Sequence, residues 1–307
     1  MSKLVVVGSL NMDLVVRTPH LPRPGETILG REFITVPGGK GANQTVATAK
    51  LGATVSMIGR VGSDDFGRAL RENLRAAGAD DRCVSTEDSA ASGIAIIEVD
   101  DSGQNTIVVA PGANAHVARA DVDAARSIIV SSQAVIAQLE IPLDTVECAL
   151  STARAANVLT ILNPAPAQAL STELLALVDL LVPNESEAAL LTGIEVTDDV
   201  SAEQSARQLH ERGAGIVVIT LGARGALALS EGKTWRIPPF HVAAIDATAA
   251  GDAFVGALAT AYATQRDLDA ALREASAAGA LAATRLGAQP SLPTRAELDE
   301  FLKRASH

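Results

Sequence analysis

The chain is punctuated by short runs almost free of polar residues, at 4–7, 55–58, 134–137, 158–162, 180–182 and 216–220. A strand that is apolar at successive positions buries both of its faces, which is the condition of a strand inside a helix-covered parallel sheet. Helical patterns fill the stretches between, at 66–77, 120–130, 143–155, 185–191 and 202–212, and several stop at a glycine: Gly78, Gly193 and Gly213. Glycine supplies the left-handed residue that closes a helix. The alternation predicts an α/β fold with a mostly parallel sheet flanked by helices.

Two segments break this rhythm. Residues 14–36 hold Pro19, Pro22, Pro24 and Gly25 and then alternate apolar with polar from Thr27 to Val36; residues 93–109 alternate again about the turn Asp100-Asp-Ser-Gly103. Alternation marks antiparallel strands with one exposed face, which sit poorly in a parallel sheet. We read them as a small β-sheet that projects from the main domain and covers a ligand site, where a flap excludes water. An ordinary edge meander fits the same pattern.

At 307 residues, 48% hydrophobic and 20% charged, the chain has room for one large domain, or one with an appendage, and a substantial core. With 36 Asp and Glu against 25 Lys and Arg the net charge is −11, and aromatic residues are 2%. Both facts argue against nucleic acid, and the charge argues against an anionic membrane as a partner. Cys83 and Cys148 cannot build a disulfide framework, and His20, His116, His210, His241 and His307 are scattered and form no ligand pair. No apolar run approaches the ~18 residues of a membrane span. The first residues lack a signal-peptide pattern, so a soluble cytoplasmic protein is expected.

The densest local signal is Asp246-Ala-Thr-Ala-Ala-Gly-Asp252-Ala-Phe254, which leads into an Ala-rich apolar segment. Small residues let a backbone close on a ligand, and the unpaired N–H groups of a helix start favour an anion. A carboxylate in that mouth, Asp252, suits a general base beside a phosphate cradle.

A second cluster, Pro37-Gly-Gly-Lys-Gly-Ala-Asn-Gln44, combines three glycines with Lys40 and Asn43. These suit a polyhydroxyl ligand, although a tight turn into a helix accounts for the glycines equally well. Asn11 and Asp13 follow the first strand and alternate onto one face, where α/β proteins place ligand groups; turn or capping roles fit them too. Glu140 is a third carboxylate at a strand end.

Asn184 and Glu187 have the spacing of a capping box, and also of a rim that organises Mg²⁺ around phosphates. Thr220-Leu-Gly-Ala-Arg-Gly225 either seats an adenosine diphosphate moiety or forms a hairpin. Gly232-Lys-Thr234 imitates the end of a phosphate loop, but Leu227 stands where that loop needs glycine. It reads better as a hairpin turn between 226–230 and 235–237.

Taken together these clusters resemble the ribokinase branch of the PfkB carbohydrate-kinase family, from Gly8 to Pro293. The residues that carry the resemblance are Gly38–Gln44, Asn163-Pro-Ala-Pro166, Asn184-Glu-Ser-Glu187, Thr220–Gly225, the 246–254 stretch and Gly287-Ala-Gln-Pro-Ser-Leu-Pro293, in the family's order. The resemblance implies a Rossmann-like domain with a β-sheet lid that serves as a dimer interface, and ATP-dependent phosphorylation of a sugar hydroxyl. It places Asn11, Asp13, Gly39, Lys40, Asn43 and Glu140 at the sugar and makes Asp252 the base. The backbone N–H groups of Ala249, Ala250, Gly251 and Asp252 become the anion hole. Asn184, Thr220, Leu221, Gly222, Ala223, Arg224, Gly225, Gly251 and Ser276 face ATP, with Glu187 supporting Mg²⁺. An activating K⁺ is implied beside Asp246, Thr248, Ala282, Arg285, Gly287 and Ser291. Ala247 departs from the family pattern, which has Thr there. The family's kinases for deoxyribose, fructose or nucleosides, and a sugar-binding regulator without turnover, are the rival readings; so few aromatic residues favour a bare sugar over a nucleoside.

Overall fold

In the computed structural model, which describes residues 2–305 and so leaves Met1, Ser306 and His307 outside, strand β1 (Lys3–Val7) faces two ways. Leu4 and Val6 enter one hydrophobic cluster, and Val5 and Val7 enter another. Side chains alternate across a strand, so a run with no polar member is what a sheet covered on both faces demands.

The first half of the chain continues through β2 (Asn11–Thr18), β3 (Glu32–Gly38), α1 (Lys40–Lys50), β4 (Thr54–Gly62), α2 (Asp65–Ala76), β5 (Asp80–Glu87), β6 (Gly93–Asp100) and β7 (Asn105–Ala110). It then runs through α3 (Arg119–Ala124), α4 (Arg126–Val130), β8 (Ala134–Ala137), α5 (Leu143–Ala155), β9 (Leu159–Leu162), α6 (Thr172–Leu175), β10 (Leu180–Leu181) and α7 (Glu185–Thr192). The last part holds α8 (Asp199–Glu211), β11 (Ile216–Thr220), β12 (Ala226–Ser230), β13 (Lys233–Ile237), α9 (Ala250–Gln265), α10 (Leu268–Ala283) and α11 (Arg295–Arg304).

Nine strands form the main sheet in the order β13-β12-β11-β10-β9-β8-β1-β4-β5, parallel from β11 to β5, with β12 and β13 antiparallel at one edge. All six apolar runs are strands of this sheet. Gly78, Gly193 and Gly213 take positive φ, as their places after helices require. The β12–β13 turn sits at Glu231 and Gly232, φ 47° and 78°, so the Gly-Lys-Thr segment is a hairpin turn. The helix expected over 120–130 divides at Ala125, whose φ −95° and ψ 7° leave the helical region.

The two alternating segments form a second sheet, ordered β3-β2-β6-β7. Each hairpin is antiparallel, as expected, but the two are joined by a parallel pair, β2 with β6. Both strands leave the carboxyl ends of main-sheet strands, β1 and β5, and so travel the same way. The ordered strand begins at Glu32 rather than Thr27, and residues 19–31 stay irregular.

From β1 the chain moves outward to β4 and β5, then returns to β8 on the other side of β1. That reversal opens a crevice outside the carboxyl ends of β1 and β8, where ligands bind in open α/β sheets. No described helix is long and apolar enough to cross a membrane.

Candidate active site

Helix α9 is apolar all round and buried from Asp252 to Ala261, while its first residues, with Gly251 exposed, line the crevice. Ala249 precedes it in the left-handed region, φ 58° and ψ 8°, a conformation that costs a non-glycine residue about 1–2 kcal/mol. The amide of Ala253 makes the first helical bond, to Ala249 O at 2.8 Å, so those of Gly251 and Asp252 precede the ladder. Ala250 is different: its amide already closes a turn on Ala247 O at 3.1 Å.

Asp252 is 7% exposed. Its Oδ2 accepts from Asn43 Nδ2 and its Oδ1 from Gln44 Nε2, both at 2.9 Å. Burial pushes its carboxyl above the usual range, while Lys40, Asn43 and Gln44 oppose the shift. The two amides reach it because α1 and α9 pack tightly: a Cβ on Gly256 would stand 2.7 Å from Ala47 Cβ.

Every residue expected at the sugar gathers here. Asn11 and Asp13 lie on one face of β2, so the ligand groups and the small sheet are a single element. Asn11 Oδ1 accepts from Asn114 Nδ2 at 2.7 Å, and a Cβ on Gly93 would fall 2.2 Å from that oxygen. Asp13 is pressed against Gly38, where an added Cβ would lie 2.2 Å from Oδ2. Burial first, then Glu140 and Asp252, raise the Asp13 carboxyl to about 7. Glu140 accepts from Ser9 Oγ and from the Lys40 amide, the latter at 3.0 Å. Gly39 has φ 86° and its missing Cβ makes room for the amide of Asn11, 2.7 Å away. Burial works to neutralise the Lys40 ammonium, but Asp252, Glu140 and Glu187 outweigh it and hold the amine charged.

On the other side of Asp252, a cavity of about 210 Å³ is lined by Lys40, Asn163, Asn184, Glu187, Thr220 and Gly251, among others. Asn184 and Glu187 do form the capping box, each accepting the other's backbone N–H at 2.8 Å. Burial raises the Glu187 carboxyl, against the Asn184 amide and Lys40. Through Thr220 and Gly251 this cavity meets a second of about 460 Å³, lined by Gly222, Ala223, Gly225, Phe240, Ser276 and Gly279, among others. Ser276 Oγ is buried there without a hydrogen-bond partner, a group that a ligand would satisfy. Leu221 and Arg224 turn away: Leu221 packs in the core, and Arg224 pairs with Glu185 and Asp199.

Asp246 and Thr248 meet directly. Asp246 Oδ1 accepts from the Thr248 amide at 2.9 Å and from its hydroxyl at 2.6 Å, while Oδ2 accepts from Gly287 N at 2.9 Å. Burial would raise the Asp246 carboxyl, but these bonds hold it below its ordinary value. Arg285 N donates to Ala282 O at 3.1 Å, and its guanidinium goes to Glu297 at 2.7 Å. Ser291 Oγ donates to Ala288 O at 2.7 Å. Among the described residues no three His, Cys, Asp or Glu side chains converge as a metal cluster.

Several participants had no assigned role in the sequence reading. Gln44 donates to Asp252, Asn163 accepts from Gln44 at 3.0 Å, Gln138 donates to Gln44 at 2.6 Å, and Asn114 pins Leu10 and Asn11. Polar residues closing apolar strands were the available signal: Gln138 follows β8 and Asn163 follows β9.

Residues 1–295 match the model of the pfkB family of carbohydrate kinases. The chain is 44% identical to a ribokinase of Haemophilus influenzae, over 98% of this chain and 99% of that one. It is 43% identical to mouse ribokinase, over 96% and 93%. Among solved structures, a ribokinase from Thermotoga maritima superposes with a TM-score of 0.90 at 37% identity, covering 99% of this chain and 100% of that one. The Arabidopsis thaliana ribokinase complexed with ribose and ATP also gives 0.90, at 32% identity, covering 99% of both.

Proposed function

The chain belongs to the pfkB family of carbohydrate kinases, and we propose that it phosphorylates D-ribose at its 5-hydroxyl with ATP, giving ribose 5-phosphate and ADP. One observation carries the reading: the buried Asp252 carboxylate stands at the amino end of α9, between a polar crevice and a groove running away through two joined cavities. The relatives named ribokinase and the neighbour holding ribose and ATP support the choice of sugar and donor.

Asp252 takes the proton of the 5-hydroxyl as that oxygen bonds to the terminal phosphorus of ATP, and the bond from phosphorus to the ADP oxygen breaks. Asn11, Asp13, Gly39, Lys40, Asn43 and Glu140 hold the remaining hydroxyls, with carboxylates as acceptors and Lys40 and Asn43 as donors. The amides of Gly251 and Asp252, and the Lys40 ammonium, meet the charge on the migrating phosphoryl group. Asn184, Thr220, Gly222, Ala223 and Gly225 border the phosphates and nucleoside, and Ser276 offers its unpaired hydroxyl to the nucleoside.

Glu187 keeps one oxygen beyond its capping bond and fits a water-mediated hold on Mg²⁺ at the 210 Å³ cavity. When bound, that ion neutralises phosphate charge. For K⁺, the loop of Asp246, Thr248, Ala282, Gly287 and Ser291 offers oxygen donors only, and Arg285 contributes its carbonyl because its guanidinium is committed to Glu297. Asp246 and Thr248 are present despite Ala247, so these residues would still hold an activating cation, which when bound would supply positive charge beside the anion-hole loop.

The small sheet acts as a lid within one kinase domain spanning 1–307, and as the interface of a homodimer. Ile34, Val15, Ile97 and Ile107 stand opposite one another across its four strands, and Ile34 and Ile107 are 46% and 56% exposed. An uncovered apolar row of this kind suits a second copy. The cytoplasm is the setting this chemistry fits.

An ADP-release assay over pentoses, hexoses and nucleosides, with K⁺ exchanged for Na⁺, tests the reading. Ribose should give the highest kcat/KM, and K⁺ should exceed Na⁺. ADP release with another acceptor but none above blank with ribose would reassign the substrate.

A further inference from the structure

We propose that Gln44 is the positioning residue of the base, delivering to Asp252 Oδ1 an N–H whose direction is imposed from the Val182 carbonyl through Asn163. This rests on Asp252 acting as the base. A primary amide can turn either its NH₂ or its C=O toward a neighbour, and a carbonyl facing a carboxylate would repel it. Four contacts remove the choice. Val182 O can only accept, so Asn163 turns Nδ2 to it at 2.9 Å. Asn163 Oδ1 is then the acceptor for Gln44 Nε2 at 3.0 Å. The same nitrogen reaches Asp252 Oδ1 at 2.9 Å. Gln44 Oε1 is occupied in turn by Gln138 Nε2 at 2.6 Å.

Gln44 is 0% exposed, so water cannot substitute for any of these partners. A second amide chain approaches Asp252 separately. Gln289 Nε2 donates to Asn43 Oδ1 at 3.1 Å, which turns Asn43 Nδ2 onto Asp252 Oδ2. Each carboxylate oxygen therefore accepts one fixed N–H, and the lone pairs left over have a single orientation for the substrate hydroxyl. Gly8 is part of the device: a Cβ there would lie 2.1 Å from Gln138 Oε1.

The arrangement has an electrostatic consequence. An N–H donated to a carboxylate favours its charged, proton-accepting form. The charged and titratable groups facing Asp252 are Lys40 on α1, Glu140 after β8, Asp13 on β2 and Glu187 on α7. A substitution at Gln44 leaves all four in place, so a change in the acid limb of turnover reports the lost N–H.

The test is Gln44→Met, which keeps the length and burial of the side chain and removes its amide. The acid limb of the kcat–pH profile should move up by about one pH unit, the effect of losing one hydrogen bond to a charged group. Turnover at neutral pH should fall about 10-fold or more, with ribose KM changed less than about 3-fold. Asn163→Leu removes the acceptor that orients Gln44 while keeping the Gln44 amide itself, and should move the limb the same way by less. It serves as the readout if Gln44→Met does not fold. A role confined to packing would lower the melting temperature and leave the limb where it is; an unmoved limb in the folded variants overturns the inference. Asp252→Asn separates the two levels. If it retains turnover, the assignment of the base is wrong; if it is inactive while the Gln44→Met limb has not moved, only the role of Gln44 is wrong.

Discussion

Asn43 donates to Asp252 Oδ2 at 2.9 Å across 209 positions of sequence, and through this bond α1 and α9 act as one device. The glycine-rich cluster at the start of α1 brings Lys40, Asn43 and Gln44, and the small-residue loop before α9 brings the amides of Gly251 and Asp252. In the proposed reaction the accepting oxygen lies between them.

Replacing that carboxylate tests the division of labour. Asp252→Asn keeps the shape but cannot take a proton, and its NH₂ meets one of the two amide donors that the carboxylate accepts from. Turnover should fall by about 10²–10⁴-fold. Calorimetric binding of ribose and of a non-hydrolysable ATP analogue should remain within a few-fold; near-normal turnover would remove Asp252 from its role.

Asp13 makes a prediction about stability and pH. Its folded carboxyl titrates at about 7 against an ordinary value of 3.8, so between those values the folded state binds more protons than the unfolded state. Stability contributed at this site therefore falls as pH rises from about 4 to 7, and stays low above. Asp13→Asn should abolish ribose binding, yet raise the unfolding free energy at pH 8 by about 1–3 kcal/mol, the scale of burying a poorly compensated polar group. At pH 4 the gain should vanish. Urea melts at the two pH values decide it, and an equal gain at both would refute the linkage.

Gly256→Ala addresses the helix contact that brings the two side-chain amides to Asp252. The new methyl would meet Ala47 Cβ at 2.7 Å, within a core that has no slack. Overpacking of this kind costs about 1–3 kcal/mol. The separation of α1 and α9 should also appear as a loss in kcat larger than the change in ribose KM, read in steady-state kinetics. Unchanged stability and kcat would show that the helices can part without consequence.

The apolar row on the small sheet predicts an assembly. Ile107→Asp puts a charge on that row, on a strand exposed along its whole length. Light scattering should show a homodimer for the parent chain and a monomer for the variant. A parent monomer at micromolar concentration would dismiss the interface.

Much of the architecture was legible because its causes are local. Burial on both strand faces removes polar residues from a short run, and a positive φ after a helix selects glycine at Gly78, Gly193 and Gly213. The capping box of Asn184 and Glu187 spans three residues and could be read directly. Family motifs picked out the groups that the structure gathers around Asp252 and along the two joined cavities, because those groups cluster within short segments. They also swept in Leu221 and Arg224, whose side chains turn to the core and to Glu185 and Asp199.

What the chain alone determined, then, was an alternating α/β layout, two strand pairs that did not belong in it, and which short clusters carry chemistry. Tertiary structure decided how those clusters meet: the parallel β2–β6 junction, the placement of Asn11 and Asp13 within the small sheet, and the Asn163–Gln44–Gln138 amides behind Asp252. The physical reason is range. Helix and strand periods repeat every few residues and leave a pattern in sequence. A hydrogen bond from Gln44 to Asp252 spans 208 positions, and its direction depends on which atom of a third residue is already occupied.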